Sequence, residues 1–314
     1  MQNLRVATWN SVGYDVSKAQ DLEQVLKASG LDYTVEMRPV FMNAGPVDMT
    51  EAMAAIPNRF VTVRTSDNHP YDVVSDKFEI VQNRDAFDFV NFMGSDVRFV
   101  KAGETQSGMV YIIGALPEVN ILGDAFTPFV LFRNGFNGKT KITACICPLR
   151  IVCQNQFNFS FQNVQNTITV RHVQNAEIKL EEAKQVLKMS ADYMTKLNEE
   201  AEKYASWNMC EFEIRRVTDM LFPIPKDAKE TMNPFKLKRL EEQKARFIAA
   251  HDADDNANFK GTAWGLINAY TDFITHEPAM GKTSTKVENK FINMTFKPNT
   301  TGKIVDFIRM VHAA

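Results

Sequence analysis

The sequence predicts an α+β protein, with an antiparallel, hairpin-rich portion over roughly residues 1–175 and a helical portion over 176–314. Short runs of β-branched and aromatic residues, divided by Gly, Asn, Asp and Pro, recur from Asp32 to Cys147 and read as strands and turns. From Ala176 onward the apolar residues instead repeat at alternating steps of three and four, which is helical spacing. No run reaches the roughly 18 apolar residues needed to cross a bilayer, so membrane architectures are not expected.

The elements follow in order. A helix is expected from about Lys18 to Ser29, because Ser17 and Gln20 form a capping-box pattern, Leu22, Val25 and Leu26 share a face, and Gly30 suits the position after the end. Asp32–Phe41 alternates as a half-buried strand, and residues 43–58 read as a loop or short helical piece. Phe60–Thr65 and Tyr71–Val74 form a hairpin around Asp-Asn-His-Pro. Asn83 can cap a short helix carrying Ala86, Phe87, Phe89 and Val90. Val97–Ala102 pairs with Met109–Leu116, and Phe126–Arg133 with Thr140–Cys147 through Asn-Gly-Phe-Asn-Gly. Pro148 is expected to stop that last strand. Leu149–Gln162 reads either as a strand, since Phe157, Phe159 and Phe161 alternate, or as a helix; the helix is preferred because it would cover the preceding hairpins.

The helical portion begins with a long amphipathic helix over 176–207. Leu180, Ala183, Leu187, Ser190, Met194, Leu197, Ala201 and Tyr204 form its seven-residue repeat, which suits packing on its own domain or on a neighbouring subunit. Further helices are expected over Glu211–Met220, Lys236–Ala250 and Gly261–His276. The acidic stretch after His251 resembles a calcium loop but, counted from Asp252, has Ala257 in place of the sixth-position Gly and Ala263 in place of the twelfth-position Glu. No metal or other cofactor is expected.

Composition is that of an ordinary globular protein, and a formal net charge of −2 gives no global attraction to polyanions. A local feature stands out: Ala125–Ala176, 52 positions, holds no Asp or Glu, although the chain has 38 of them. Arg133, Lys139, Lys141, Arg150, Arg171 and His172 lie in this gap beside seven phenylalanines. Two readings fit. A buried sheet excludes carboxylates; a groove for single-stranded nucleic acid does so as well, because cations track phosphates and rings stack on bases. On the second reading Arg133, Lys139, Lys141, Arg150, Arg171 and His172 supply positive charge, Phe136, Phe157 and Phe159 stack, and Gln154 and Asn155 bridge sugar or phosphate. Phe136 is then expected at a hairpin tip.

Catalysis has thinner support. Cys153 with His172, and Asp272 with His276 one helical turn apart, are the candidate pairs, but no phosphate-binding loop is present and Gly103–Gly108 lacks the following Lys. The four cysteines, spaced C-x-C-x5-C with Cys210 apart, fit buried structural thiols in a reducing compartment. A third reading is a module that binds or inhibits a host protein.

Five segments in order resemble the DUF932 family of phage- and plasmid-borne proteins: Leu26–Val40, the pattern over Phe78–Phe89, Ala102–Glu118, "PLRIVCQNQF" at Pro148–Phe157 and "GTAWGLINAYTDFITH" at Gly261–His276. The resemblance implies work around phage or plasmid DNA in a bacterial cytoplasm, with a relation to single-strand annealing proteins and hence a homo-oligomer. Where the family usually follows the CQN piece with a Thr-Leu helical run, Gln156-Phe157-Asn158-Phe159 stands here.

Overall fold

The structure is a computed structural model that describes residues 11–45, 53–161, 164–169, 176–276, 284–297 and 299–312. It is α+β, with antiparallel sheets in the first half and helices in the second. The larger sheet runs β1 (Tyr14–Asp15), β5 (Arg98–Glu104), β6 (Met109–Ala115), β8 (Asp124–Gly135), β9 (Thr143–Arg150), β10 (Asn155–Gln156). Two short strands, β7 (Val119–Ile121) and β11 (Thr167–Thr169), pair with β8 and β9. A second, three-stranded sheet holds β2 (Val35–Asn43), β3 (Met53–Arg64) and β4 (His69–Ser75).

The central strands are apolar on both faces, so each face needs a cover. Val110, Ile112, Val130, Phe132 and Ile146 point into the main core under α3 (Ala176–Ala205). Tyr111, Ile113, Leu131, Cys147 and Leu149 point the other way, against Phe291 of α8 (Ser284–Phe296). The helix α3 buries Ala183, Val186, Met189, Tyr193, Met194, Leu197, Ala201 and Tyr204, a wider stripe than the seven-residue repeat alone. Each large side chain of that stripe contributes about 1.5–3 kcal/mol of transfer free energy. The helix therefore packs on its own chain. One core runs from Val16 to Val311 and also takes in α4 (Glu211–Leu221), α6 (Pro234–His251), α7 (Ala263–His276) and α9 (Gly302–His312). Between α4 and α6 lies the one-turn helix α5 (Ala228–Thr231). Among the described residues no helix is long and apolar enough to cross a membrane.

Several expectations are corrected. The first helix, α1, spans Leu22–Ala28 rather than starting at Lys18, because Ser17 is bonded to Asp15 while the Asp21 side chain takes the Gln24 amide at 2.8 Å. Its end is as expected: Gly30 at φ +70 donates to Lys27 O, and Leu31 donates to Leu26 O. Met53–Asn58 is strand, not loop. The short helix α2 (Asn83–Phe87) continues as a 3-10 turn over Asp88–Asp96. Pro148 does not stop β9, since it faces Pro128, and the carbonyls of both point away from each other to Phe157 N and Leu116 N. A pair that exchanges no hydrogen bond tolerates two prolines.

The preferred helix over 149–162 is also wrong. β9 continues to Arg150, a turn follows in which Gln154 has φ +57, and the chain then runs extended through Phe157 and Phe159. The alternating phenylalanines carried the correct signal.

Candidate nucleic-acid interface

Most of the sequence-derived site lies inside the protein. Arg150 is 2% exposed; its guanidinium pairs with Asp124 at 2.6 Å, donates to Asp255 O at 2.7 Å and faces the Phe259 ring. Asp124 stands just outside the acid-free stretch, so the cation found its carboxylate across the hairpin. Phe136 lies in the turn between β8 and β9, but its ring is buried rather than presented to solvent: it packs on Tyr33 and Tyr71, and its carbonyl accepts from Thr62. Phe157 stacks on Trp264, 5.8 Å between centroids, and Phe159 on Phe161. Phe157 is fully buried, and Phe159 is 5% exposed and borders a cleft beside Phe161.

Asn155 is buried, accepts from His276 Nε2 at 3.0 Å and lies 3.5 Å from Asn268 O. Gln154 bonds back to Ile151 O. Arg133 is half-buried, donates to Thr143 Oγ1 at 2.6 Å and lies over the Phe296 ring; burial lowers its pKa. Lys139 and Lys141 are exposed, and Lys139 pairs with Asp72 at 3.0 Å. Arg171 and His172 lie outside the described residues. The predicted cations among the described residues, Arg133, Lys139, Lys141 and Arg150, are therefore not gathered into one open groove.

The catalytic candidates fare no better. Burial pushes the Cys153 thiol up to about 12, and its proposed partner His172 lies outside the described residues. His276 Nε2 donates to Cys153 O at 2.9 Å. Cys145 and Cys147 are buried as expected, whereas Cys210 is exposed. Among the described residues no cluster of three or more His, Cys, Asp or Glu is placed to hold a metal.

These contacts explain the last two of the five motifs. Pro148–Phe157 and Gly261–His276 pack against each other: Gln156 N donates to Thr275 Oγ1 at 3.1 Å, His276 reaches Cys153 and Asn155, and Trp264 stacks on Phe157. A Cβ at Gly265 would sit 2.1 Å from Phe259 O, so that glycine lets α7 lie close to the Asp254–Phe259 turn that precedes it. The motif pair is a buried joint between sheet and helix.

Cations and rings do meet elsewhere. An open cleft of about 570 Å³ lies between the extended segment at Phe159–Phe161, the second half of α3 and α9. Asn158 fixes the segment by exchanging backbone and Thr301 Oγ1 bonds at 3.1 Å, while Asn299 Oδ1 takes the Ser160 amide. Lys196 and Lys203, seven residues apart on α3, share one face with Glu200 between them. Glu200 stands 3.5 Å from Lys196, 4.0 Å from Lys203 and 3.9 Å from Arg309 of α9. The charges lining the cleft are Lys196, Lys203 and Arg309 against Glu200 and Asp306, a balance of one positive.

Rings back these cations. The Arg309 guanidinium donates to Tyr204 Oη at 2.7 and 3.1 Å, and Lys203 Nζ lies 5.3 Å from the Trp207 ring. Trp207 stacks on the exposed His312, 4.4 Å apart and 11° from parallel. Sequence reasoning missed this constellation because its parts come from three segments more than 30 residues apart, and the two that supply its cations carry acids of their own.

A family model described as Domain of unknown function (DUF932) matches residues 70–297, well over half of the chain. The match leaves out the Leu26–Val40 segment and α9. No curated protein and no solved structure matches.

Proposed function

The chain belongs to the DUF932 family, and from the cleft just described we propose that it binds single-stranded nucleic acid, most specifically DNA of a phage or plasmid. The observation that carries this reading is the convergence of Lys196, Lys203 and Arg309 from two helices on one open, ring-backed cleft. Phosphates would sit against Lys203 and Arg309, displacing part of the Glu200 contact, and an unpaired base would lie on the Trp207–His312 stack. A stacked base contributes about 1–3 kcal/mol. The cleft volume is on the scale of a small-ligand site, which suits a nucleotide chain better than a duplex. Glu200 acts as a placeholder beside Lys203 and Arg309 until phosphate arrives, while Lys196 is held by Glu199 at 2.8 Å.

Fluorescence polarisation with a labelled single-stranded oligonucleotide tests this. Binding should weaken steeply with salt, a duplex of the same sequence should bind less well, and Lys203→Glu with Arg309→Glu should lower affinity at least tenfold. An affinity unmoved by that double variant, or no binding at low salt, overturns the proposal. Strand annealing, the finer expectation, also needs neighbouring protomers along one strand.

A further inference from the structure

We propose that Asp306 reads the Watson–Crick edge of a guanine, so that the cleft between α3 and α9 favours single strands that carry this base. This preference rests on the nucleic-acid reading and deepens it. Asp306 is exposed and lines the cleft. It stands on α9 between Lys303 and Arg309, each three residues away and so within reach along the helix surface. Neither cation turns to it. Arg309 reaches across to Tyr204 Oη at 2.7 Å and to Glu200 at 3.9 Å, and Lys303 Nζ lies 5.6 Å from the centre of the Phe307 ring. Among the described residues the Asp306 carboxylate makes no ion pair and no hydrogen bond. A lone carboxylate beside a phosphate site repels the ligand unless something donates to it. In DNA the groups that can donate are the N–H groups of the bases.

The bases differ in what they can give a carboxylate. Thymine offers one ring N–H, and adenine and cytosine each offer one amino group. Guanine alone sets two donors side by side, N1–H and the N2 amino group, with the O6 acceptor next to them. The two oxygens of a carboxylate match that pair of donors with two charge-assisted bonds. The facing wall of the cleft supplies what O6 needs. Ser160 gives its backbone amide to Asn299 Oδ1 at 3.1 Å, which leaves the Ser160 hydroxyl and the Asn299 amino group as donors at the cleft. Half-buried Phe161 adds an apolar border. An acceptor on α9, donors on the facing segment and a ring at the border complement guanine, and no other base presents that set. Asp306 and Arg309 lie about 4.5 Å apart along the axis of α9. A strand with one phosphate on Arg309 therefore brings a base within reach of the carboxylate, next to the base on the Trp207–His312 stack.

Fluorescence polarisation tests it, with a labelled run of about twelve thymidines and with the same run carrying one central guanine, hypoxanthine, adenine or cytosine. In the unaltered chain guanine should raise affinity at least about fivefold, the scale of a bidentate base contact. Adenine and cytosine should raise it less, and hypoxanthine, which lacks the N2 amino group, should lose most of the gain. Asp306→Ala, at an exposed helical position, should abolish the guanine gain and strengthen binding of the plain thymidine run, because a charge that repels phosphate is gone. A residue that served only the fold would move every strand alike, and circular dichroism confirms that the variant is folded. No guanine gain, an equal gain from adenine or cytosine, or a gain that survives in Asp306→Ala overturns the proposal. The nucleic-acid reading outlives that result wherever Lys203→Glu with Arg309→Glu still weakens the thymidine run. A chain that binds none of these strands overturns both.

Discussion

The acid-free stretch from Ala125 to Ala176 and the cleft between α3 and α9 pose the same question in opposite ways. The first has positive charge without carboxylates and is largely interior; Arg150 finds its one acid in Asp124, outside the stretch. The second has a carboxylate at its centre and is open to solvent. Missing acids therefore mark burial, because an unpaired carboxylate in a sheet core is expensive. A surface that handles anions needs its cations held in place when empty, and an acid among them does that.

The sharpest test of the difference is stability. Arg150→Met leaves Asp124 facing an apolar side chain, and Phe157→Ala opens a cavity against Trp264 and Phe126. Each should cost about 3–5 kcal/mol in urea unfolding. The folded fraction of either variant should keep its oligonucleotide affinity. Loss of binding with stability intact would return the interface to the acid-free segment.

The cysteines divide along the same line. Burial raises Cys145 to about 11 and Cys153 to about 12, and raises Cys147 as well, whereas Cys210 is exposed. A thiol raised in the folded state contributes stability that is complete below its unfolded pKa near 9 and is lost as pH climbs through the folded value. Stability should therefore fall above about pH 9, by roughly 1 kcal/mol per pH unit for each buried thiol. In the native protein at pH 8, a thiol reagent should label Cys210 alone, with the other three reacting only on unfolding. Rapid labelling of Cys153 would mean that its segment opens.

On the cleft side, Lys203→Ala with Arg309→Ala removes two phosphate partners and, of the core's contacts, only the hydrogen bonds to Tyr204 Oη. Affinity for a single strand should drop about tenfold, and the slope of log K against log salt should lessen by about 1.4. Unfolding free energy should move by less than about 1 kcal/mol, since both side chains are about half exposed. An unchanged salt slope would exclude these side chains as phosphate contacts.

Much of the fold was legible because its signals are local. The bonds of Gly30 and Leu31 back to α1, the strand alternation around Val110 and Ile112, and the three-four steps of α3 each fit within a few residues. The helix expected over 149–162 failed where a local pattern was truly double: Ile151, Val152, Gln156 and Phe159 share a helical face, and only Gln154 in the left-handed region, with Phe157 N bonded to Pro148 O, decides against it. The surroundings of the candidate site residues were not legible for a different reason. Phe136 meets Tyr33 and Tyr71, and Arg309 meets Glu200 and Tyr204, across separations that no spacing rule spans. The family motifs were read correctly as a signature, but their residues bond to one another, so they report the joint between β10 and α7.

The smallest expected effect falls on Lys139, and it bears most directly on the comparison. Its side chain is 80% exposed and reaches only Asp72, whose carboxyl it holds below the usual carboxylate range. An exposed pair of this kind contributes at most about 1 kcal/mol, so Lys139→Ala should shift unfolding free energy by a few tenths and leave oligonucleotide affinity unchanged. The Asp72 carboxyl should titrate at higher pH in the variant, as NMR would record. Because a depressed carboxylate contributes stability above its ordinary pKa and loses it as pH falls through the folded value, the small stability difference should vanish in acid. A tenfold loss of affinity from this one lysine would mean that the acid-free segment meets nucleic acid at its exposed end, and the contrast between an interior stretch and a working cleft would collapse.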